Sequence, residues 1–201
     1  MADATTESRT PRPRGAARRE ALLEAVLKIV GEVGADAVTH RRVAEVADLP
    51  LASTTYYFES KEHLLTAALE LAAERDIARL HEFSVDAGDG ADPLELAVAA
   101  VLNPIDETLP ARRGSMIAAY ALLLEAARRP PLRAVVRRWT DAYLAAVGLL
   151  LEAAGSTARA ADAELLIAAA DGLLIEQLAT GDRGELSLRL RRLATALVTG
   201  T

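Results

Sequence analysis

The chain has no cysteine, which removes a disulfide framework, a thiolate metal site and a cysteine nucleophile together. Its three histidines, His40, His63 and His81, are scattered, without the close spacing of a zinc-binding helix. No G-x-S-x-G elbow occurs, and no glycine loop of the kind that cradles phosphates. Carboxylates are plentiful but fall at positions that read as solvated helix faces. The sequence is therefore read as no enzyme, with no catalytic residue, no metal and no cofactor. Long apolar runs are also missing: uncharged stretches such as 142–151 fall short of the ~18 residues of a membrane span. The N-terminus carries no apolar signal core, so a soluble, cytoplasmic protein is expected.

Against these absences stands a chain of 201 residues, 51% hydrophobic and 26% charged, enough for one substantial core or two small ones. Apolar residues recur at helical spacing almost throughout, and no strand pattern is convincing. The fold class is all-α, with about nine helices. A first helix is expected over 16–33, with Leu22, Val26, Ile29 and Val30 inward and Gly34 in a left-handed terminal position. Beyond the motif described next, helices are expected over 61–83, 93–109, 113–128, 131–153, 158–180 and 185–198. Gly88 and Gly90 mark a loop over 84–91, and Pro130-Pro131 and Gly181–Gly184 are further boundaries.

The most informative stretch is Thr39–Leu64, THRRVAEVADLPLASTTYYFESKEHL. Thr39 can cap a short helix, with Val38 and Val43 as a hydrophobic staple and Val43, Val46 and Ala47 as its inner face. Asp48 tolerates a left-handed turn, and Pro50 pushes the residue before it toward an extended conformation. A second short helix over 51–58 follows, small and hydroxylated at first, then aromatic. Small side chains let a helix sit deep in a major groove, where hydroxyls can bond base edges or phosphates. Ser60 caps the next helix, and Lys61 in its first turn can hold an anion with the free amides. Phe58 and one of the two tyrosines should be core, and the caps alone would serve any soluble protein. The full pattern reads as a DNA-binding unit.

That pattern resembles the DNA-binding domain of the TetR (tetracycline-repressor) family of bacterial regulators. The resemblance runs from about Arg18 to Leu69: a first helix ending at the glycine of GADAV, the THRRVAEVA helix, the STTYYF recognition helix, and F-x-S-K-E-x-L-L at Phe58, Ser60, Lys61, Glu62, Leu64 and Leu65. It implies that His40, Arg41, Leu51, Ala52, Ser53, Thr55, Tyr56, Tyr57 and Lys61 face double-stranded DNA, with Tyr56, Tyr57 and Lys61 mainly on phosphates. The chain departs from the family where Asp48 replaces a common glycine, Pro50 replaces a side-chain cap, and Thr55 stands where many members have tyrosine.

Net charge is -6. Through His63 there are nine Lys/Arg against ten Asp/Glu, and beyond it fourteen against nineteen, so the reading unit is near neutral. DNA affinity must then come from local placement. Arg9, Arg12, Arg14, Arg18 and Arg19 mark a basic tail, expected to be disordered over 1–15, which either adds DNA contacts or only solubilises. The remaining division is a DNA-binding domain over 16–62 and a helical effector-binding and dimerisation domain over 63–201.

Two features of the second domain suggest partners. The segment Ala163–Leu178 is apolar nearly all round, so it needs cover on every side. With the stripe of the last helix it suggests a homodimer interface of Ala168, Gly172, Leu186, Leu190, Leu193 and Leu197, although burial within one chain would explain the same pattern. In the family the last two helices form such a dimer, and a twofold reader matches a palindromic operator. Asn103, Asp106, Met116, Tyr120, Trp139, Tyr143 and Asp171 are the candidates for an effector pocket, polar groups among apolar walls, with Val136 and Leu124 at the same helical spacings. A carboxylate at Asp171 inside an apolar helix wants a partner, either a ligand or an interface arginine. The expected function is a repressor released from a palindromic operator by a small-molecule effector of unread identity. The alternative is a helical DNA-binding regulator without an effector, answering to a protein partner.

Overall fold

The computed structural model describes residues 14–86, 90–102, 109–181 and 185–200. Among them the chain is helical throughout: α1 (Arg14–Val33), a 3-10 turn (Ala35–Ala37), α2 (His40–Ala47), α3 (Leu51–Tyr57), α4 (Lys61–Asp86), α5 (Pro93–Leu102), α6 (Leu109–Glu125), α7 (Pro130–Ala153), α8 (Arg159–Thr180) and α9 (Leu186–Thr199). The tail arginines before Arg14, and Asn103 and Asp106 of the expected pocket, lie outside the described residues. No described helix is long and apolar enough to cross a membrane.

The local stops and starts follow from individual residues. Gly34 has φ 98°, which closes α1 while its amide still reaches the Val30 carbonyl at 3.0 Å. Thr39 Oγ1 accepts from the Arg42 amide at 3.2 Å and caps α2. Asp48, the non-glycine residue at φ 52°, ends α2 in the left-handed conformation. Ser60 Oγ accepts from the His63 amide at 3.1 Å and caps α4. One assignment on α2 changes: Ala44 is buried, whereas Val46 is 40% exposed. At 100° per residue, Ala44 and Ala47 flank Val43 on the inner side, and Val46 falls on the other flank.

Two large cores and a small cluster of Met116, Leu174 and Leu178 share the described residues. The first gathers Leu22, Leu23, Val26, Ile29 and Val30 of α1 with Val43, Phe58, Leu64, Leu65 and Leu69, and it continues into Ala118 and Leu122 of α6 and Leu132 and Val135 of α7. The reading unit is thus packed directly on the C-terminal bundle. The second core joins Leu80, α5, the far half of α7, α8 and α9. Helix α4 runs through both, from Leu64 to Leu80.

The tightest crossing is between α1 and α6. A Cβ built on Gly31 would collide with the carbonyl oxygen of Gly114 and stand 3.0 Å from its carbonyl carbon. Glycine in a helix interior costs about 1 kcal/mol relative to alanine, so a helix that keeps one there needs a packing reason. Here the reason is backbone meeting backbone. Gly31→Ala should therefore lower stability by about 1–3 kcal/mol despite alanine's better helix propensity. Urea denaturation checks this, and a variant as stable as the parent would mean that the two helices separate at little cost.

Candidate functional site

Two surfaces stand out, one on α3 and one enclosed by the bundle. On α3, the side chain of Thr54 turns inward and its hydroxyl donates to the Leu51 carbonyl at 2.8 Å. Phe58 is buried beneath it, its ring edge-on to His63 at 5.3 Å and under the Arg19 guanidinium at 5.5 Å. With Thr54 and Phe58 facing in, Leu51, Ala52, Thr55 and Tyr56 face out. Leu51 is 50% and Tyr56 81% exposed, which nothing in the fold of one chain requires. Ser53 and Tyr57 are half-buried, and Tyr57 is the tyrosine that packs on the core.

The other sequence-predicted contacts are placed less openly. Arg41 is exposed and bridged to Glu45 at 3.0 Å. His40 is half-buried, its Nδ1 covered and without a partner among the described residues. Lys61 Nζ donates to the Asp36 carbonyl oxygen at 2.9 Å, tying α4 to the 3-10 turn. An ammonium has three donors, so this bond uses one of them.

The second surface is a cavity of about 250 Å³ among α1, α4, α5, α6, α7 and α8. Met116, Tyr120, Trp139, Tyr143 and Asp171, all expected there, line it, with Val136. Leu124 does not: it is 68% exposed, and Leu123, one position back on α6, faces the cavity instead. Sequence reading missed Arg75, Asp76 and Arg79 of α4, which sit in a stretch whose charges look like an ordinary solvated face. Asp76 is the hub: its Oδ2 accepts from Trp139 Nε1 at 3.1 Å and from the Tyr143 hydroxyl at 2.6 Å, and its Oδ1 pairs with Arg79 at 2.7 Å. It thereby ties α4 to α7 across the cavity wall. A tryptophan and a tyrosine one helical turn apart on α7, each needing an acceptor, were the signal available for it.

Asp171 is the other carboxyl in the wall. Its Oδ1 accepts from the Tyr120 hydroxyl at 2.8 Å, so its hydrogen-bond partner is a phenol of the cavity wall rather than an arginine. Burial pushes the Asp171 carboxyl above the usual carboxylate range, and the nearby Asp76 charge adds to this; the Tyr120 hydrogen bond acts the other way. Tyr120 is pushed up in turn, by burial first and then by the Asp171 charge and hydrogen bond. No group of three or more described His, Asp or Glu residues could hold a metal.

The expected interface on α8 and α9 divides. Ala168 and Gly172 are exposed, but Leu190 is buried in the chain's own second core, Leu193 and Leu197 pack against that core, and Leu186 is buried. Helix α9 packs on α5 and α8 within the chain, which buries Leu190 and leaves Leu193 and Leu197 half-buried. Exposed on α8 are Leu165, Ala168, Gly172 and Ile175 among others, and Leu188 of α9 is exposed as well.

A nine-helix chain, counted over the described residues, with a capped helix-turn-helix and a lined cavity in the bundle beside it has the architecture of a one-component regulator. A family model described as "Tetracyclin repressor-like, C-terminal domain" matches residues 92–201. The chain belongs to the TetR family, whose members are transcriptional regulators and not enzymes. Among solved structures, a transcriptional regulator from Rhodococcus sp. Rha1 is similar with a TM-score of 0.80 at 24% identity, over 90% of this chain and 96% of that one, a likeness of fold. The multidrug binding protein EbrR, solved with ethidium, is 31% identical with a TM-score of 0.68, over 90% of this chain and 98% of that one. Among curated relatives, the HTH-type transcriptional repressor KstR of Mycolicibacterium smegmatis is 39% identical over 71 residues, 35% of each chain. The HTH-type regulator BetI of Rhizobium meliloti is 42% identical over 52 residues, 26% of each chain. The matched segments thus span about a third or less of these curated relatives' length.

The raised Asp171 carboxyl has a consequence for stability. A group that holds its proton more tightly when folded contributes stability below its unfolded pKa of about 3.9, and that stability is lost as pH rises through the folded value. Asp171→Asn keeps an acceptor for Tyr120 and escapes this loss. The variant should melt at higher temperature than the parent at pH 7, with the gap closing toward pH 4. Thermal melts across that range check it; a gap that is the same at both ends would mean that the carboxyl titrates normally.

Proposed function

We propose that the protein is a homodimeric transcriptional repressor that binds a palindromic operator and is released by a small-molecule effector held in the cavity. The observation that carries this reading is the outward row on α3, Leu51, Ala52, Thr55 and Tyr56, held by the buried Thr54 and Phe58. It has the small, hydroxylated chemistry of a helix that enters a major groove. Tyr56 and Lys61 then act mainly on phosphates, and His40, Arg41, Ser53 and Tyr57 complete the contact surface. EbrR, similar along most of the chain, is a multidrug binding protein solved with ethidium and with proflavin. That likeness and the lined cavity favour an effector over a purely protein-borne signal.

Two links join the cavity to the reading unit. Helix α4 carries Lys61 at one end and Asp76 in the cavity wall, about 22 Å away at 1.5 Å per residue. Helix α1 lines the cavity with Leu27 and is clamped to α6 at Gly31. An effector can release DNA only by binding the two dimer states unequally, and a hundredfold loss of operator affinity needs about 2.7 kcal/mol of coupling.

The dimer seam is the open ridge of α8. Leu165, Ala168, Gly172 and Ile175 alternate steps of three and four residues, the spacing with which one helix packs along another. Leu165→Glu should give monomers at micromolar concentration in sedimentation, and a variant that stays dimeric would move the seam elsewhere. Tyr56→Ala should leave the dimer intact and weaken operator binding about tenfold, the scale of one hydrogen bond to a charged phosphate. Operator selected from random duplex DNA supplies the probe. Wild-type affinity in the Tyr56 variant would remove this residue from the phosphate contacts.

A further inference from the structure

Two arginines and two aspartates line the cavity, but both arginines are answered without Asp171, and this deepens the effector reading by giving the ligand a sign. Arg79 is answered by Asp76 at 2.7 Å, and Arg75 is bound to both Glu20 and Glu24. The two wall cations are therefore matched by three acids before Asp171 is counted. Asp171 itself has a neutral phenol as its hydrogen-bond partner, and the nearby charge acting on it is Asp76, another acid. Beyond the two arginines and Asp76 the lining is mostly apolar or aromatic, including Met116, Tyr120, Trp139 and Ile167. A carboxylate in such a place is costly unless a cation joins it. The Nε of Arg79 is buried without a partner among the described residues, a donor that an anion could use, but the charge of that guanidinium is already answered.

We propose that the cavity binds an aromatic or otherwise hydrophobic organic cation, about the size of three fused rings, with the Asp171 carboxylate as its counter-ion. Tyr120 holds the carboxylate in place through its hydroxyl, and the aromatic rings in the wall favour a positive charge over a neutral ring. Asp76, committed to Trp139, Tyr143 and Arg79, shapes the wall and leaves the ligand's charge to Asp171.

The test uses the full chain and three planar probes of similar size: protonated 9-aminoacridine, neutral acridone and anthracene-9-carboxylate, each titrated by fluorescence. The parent should bind the cation at least roughly tenfold more tightly than acridone, the scale of one charge-assisted contact in a covered site. Asp171→Asn should bring the two within about threefold, and Asp171→Glu should restore part of the preference. The parent comparison needs no variant, so a misfolded variant does not decide it. Equal or tighter binding of acridone or the carboxylate, binding of none of the three, or a preference that survives in Asp171→Asn overturns the assignment. Operator release by a neutral or anionic ligand would overturn the charge class alone and leave the effector reading standing. A bound cation that fails to release operator would keep the charge class and remove the effector reading.

Discussion

The contact on which the rest of the structure depends is the one between the backbones of α1 and α6 at Gly31 and Gly114. Two helices that meet through side chains can slide by a rotamer change; two that meet through a main-chain carbonyl have no such slack. Because α1 is the central element of the reading unit and α6 is a wall of the cavity, this crossing makes the two regions one mechanical body. The first core crosses the same boundary, with Ala118 and Leu122 packed among residues of α1 and α4. A ligand that shifts α6 must therefore shift α1, or strain the crossing. Asp76 supplies the corresponding tie between α4 and α7, through hydrogen bonds to Trp139 and Tyr143 that span 63 and 67 residues of sequence.

Much of the reading unit was legible in the sequence because its determinants are local. Thr39, Asp48 and Ser60 act on amides and carbonyls within a few residues of themselves, and the structure places each cap and turn where that chemistry puts it. The cavity was legible in part, since Tyr120, Trp139, Tyr143 and Asp171 break the apolar pattern with polar handles and Met116 shares the helical spacing of Tyr120. Gly31 and Asp76 were not, because what makes them important lies on other helices. A mid-helix glycine or an acid among arginines has the same local appearance whether it meets a distant helix or water. The stripe of α9 was ambiguous for a related reason: Leu186 and Leu190 show that one face is apolar, but spacing alone does not say whether the chain itself or a partner covers it.

Helix α8 shows how one all-round apolar segment divides its work. Leu166 and Ala170 enter the second core, Asp171 and Leu174 face the cavity, and Leu165, Ala168, Gly172 and Ile175 are left to solvent in a single chain. Asp171 and Gly172 are consecutive, so the carboxyl in the cavity wall and the open ridge sit on adjoining sides of the same turn. A rigid helix cannot move one side without the other. Occupation of the cavity and the geometry of the seam are then linked through a helix shift of an ångström or two, the scale on which packed interfaces switch. On the proposed dimer, the spacing of the two reading helices follows from the seam. The sign of the cavity's charge and the grip on DNA are thus connected by one helix as well as by α4. An acid at position 171, where an apolar residue would pack at lower cost, fits the proposed cation site. A charge unfavourable in the empty cavity and favourable in the filled one adds to ligand affinity, and it contributes to release to the extent that the two dimer states present Asp171 to the ligand differently.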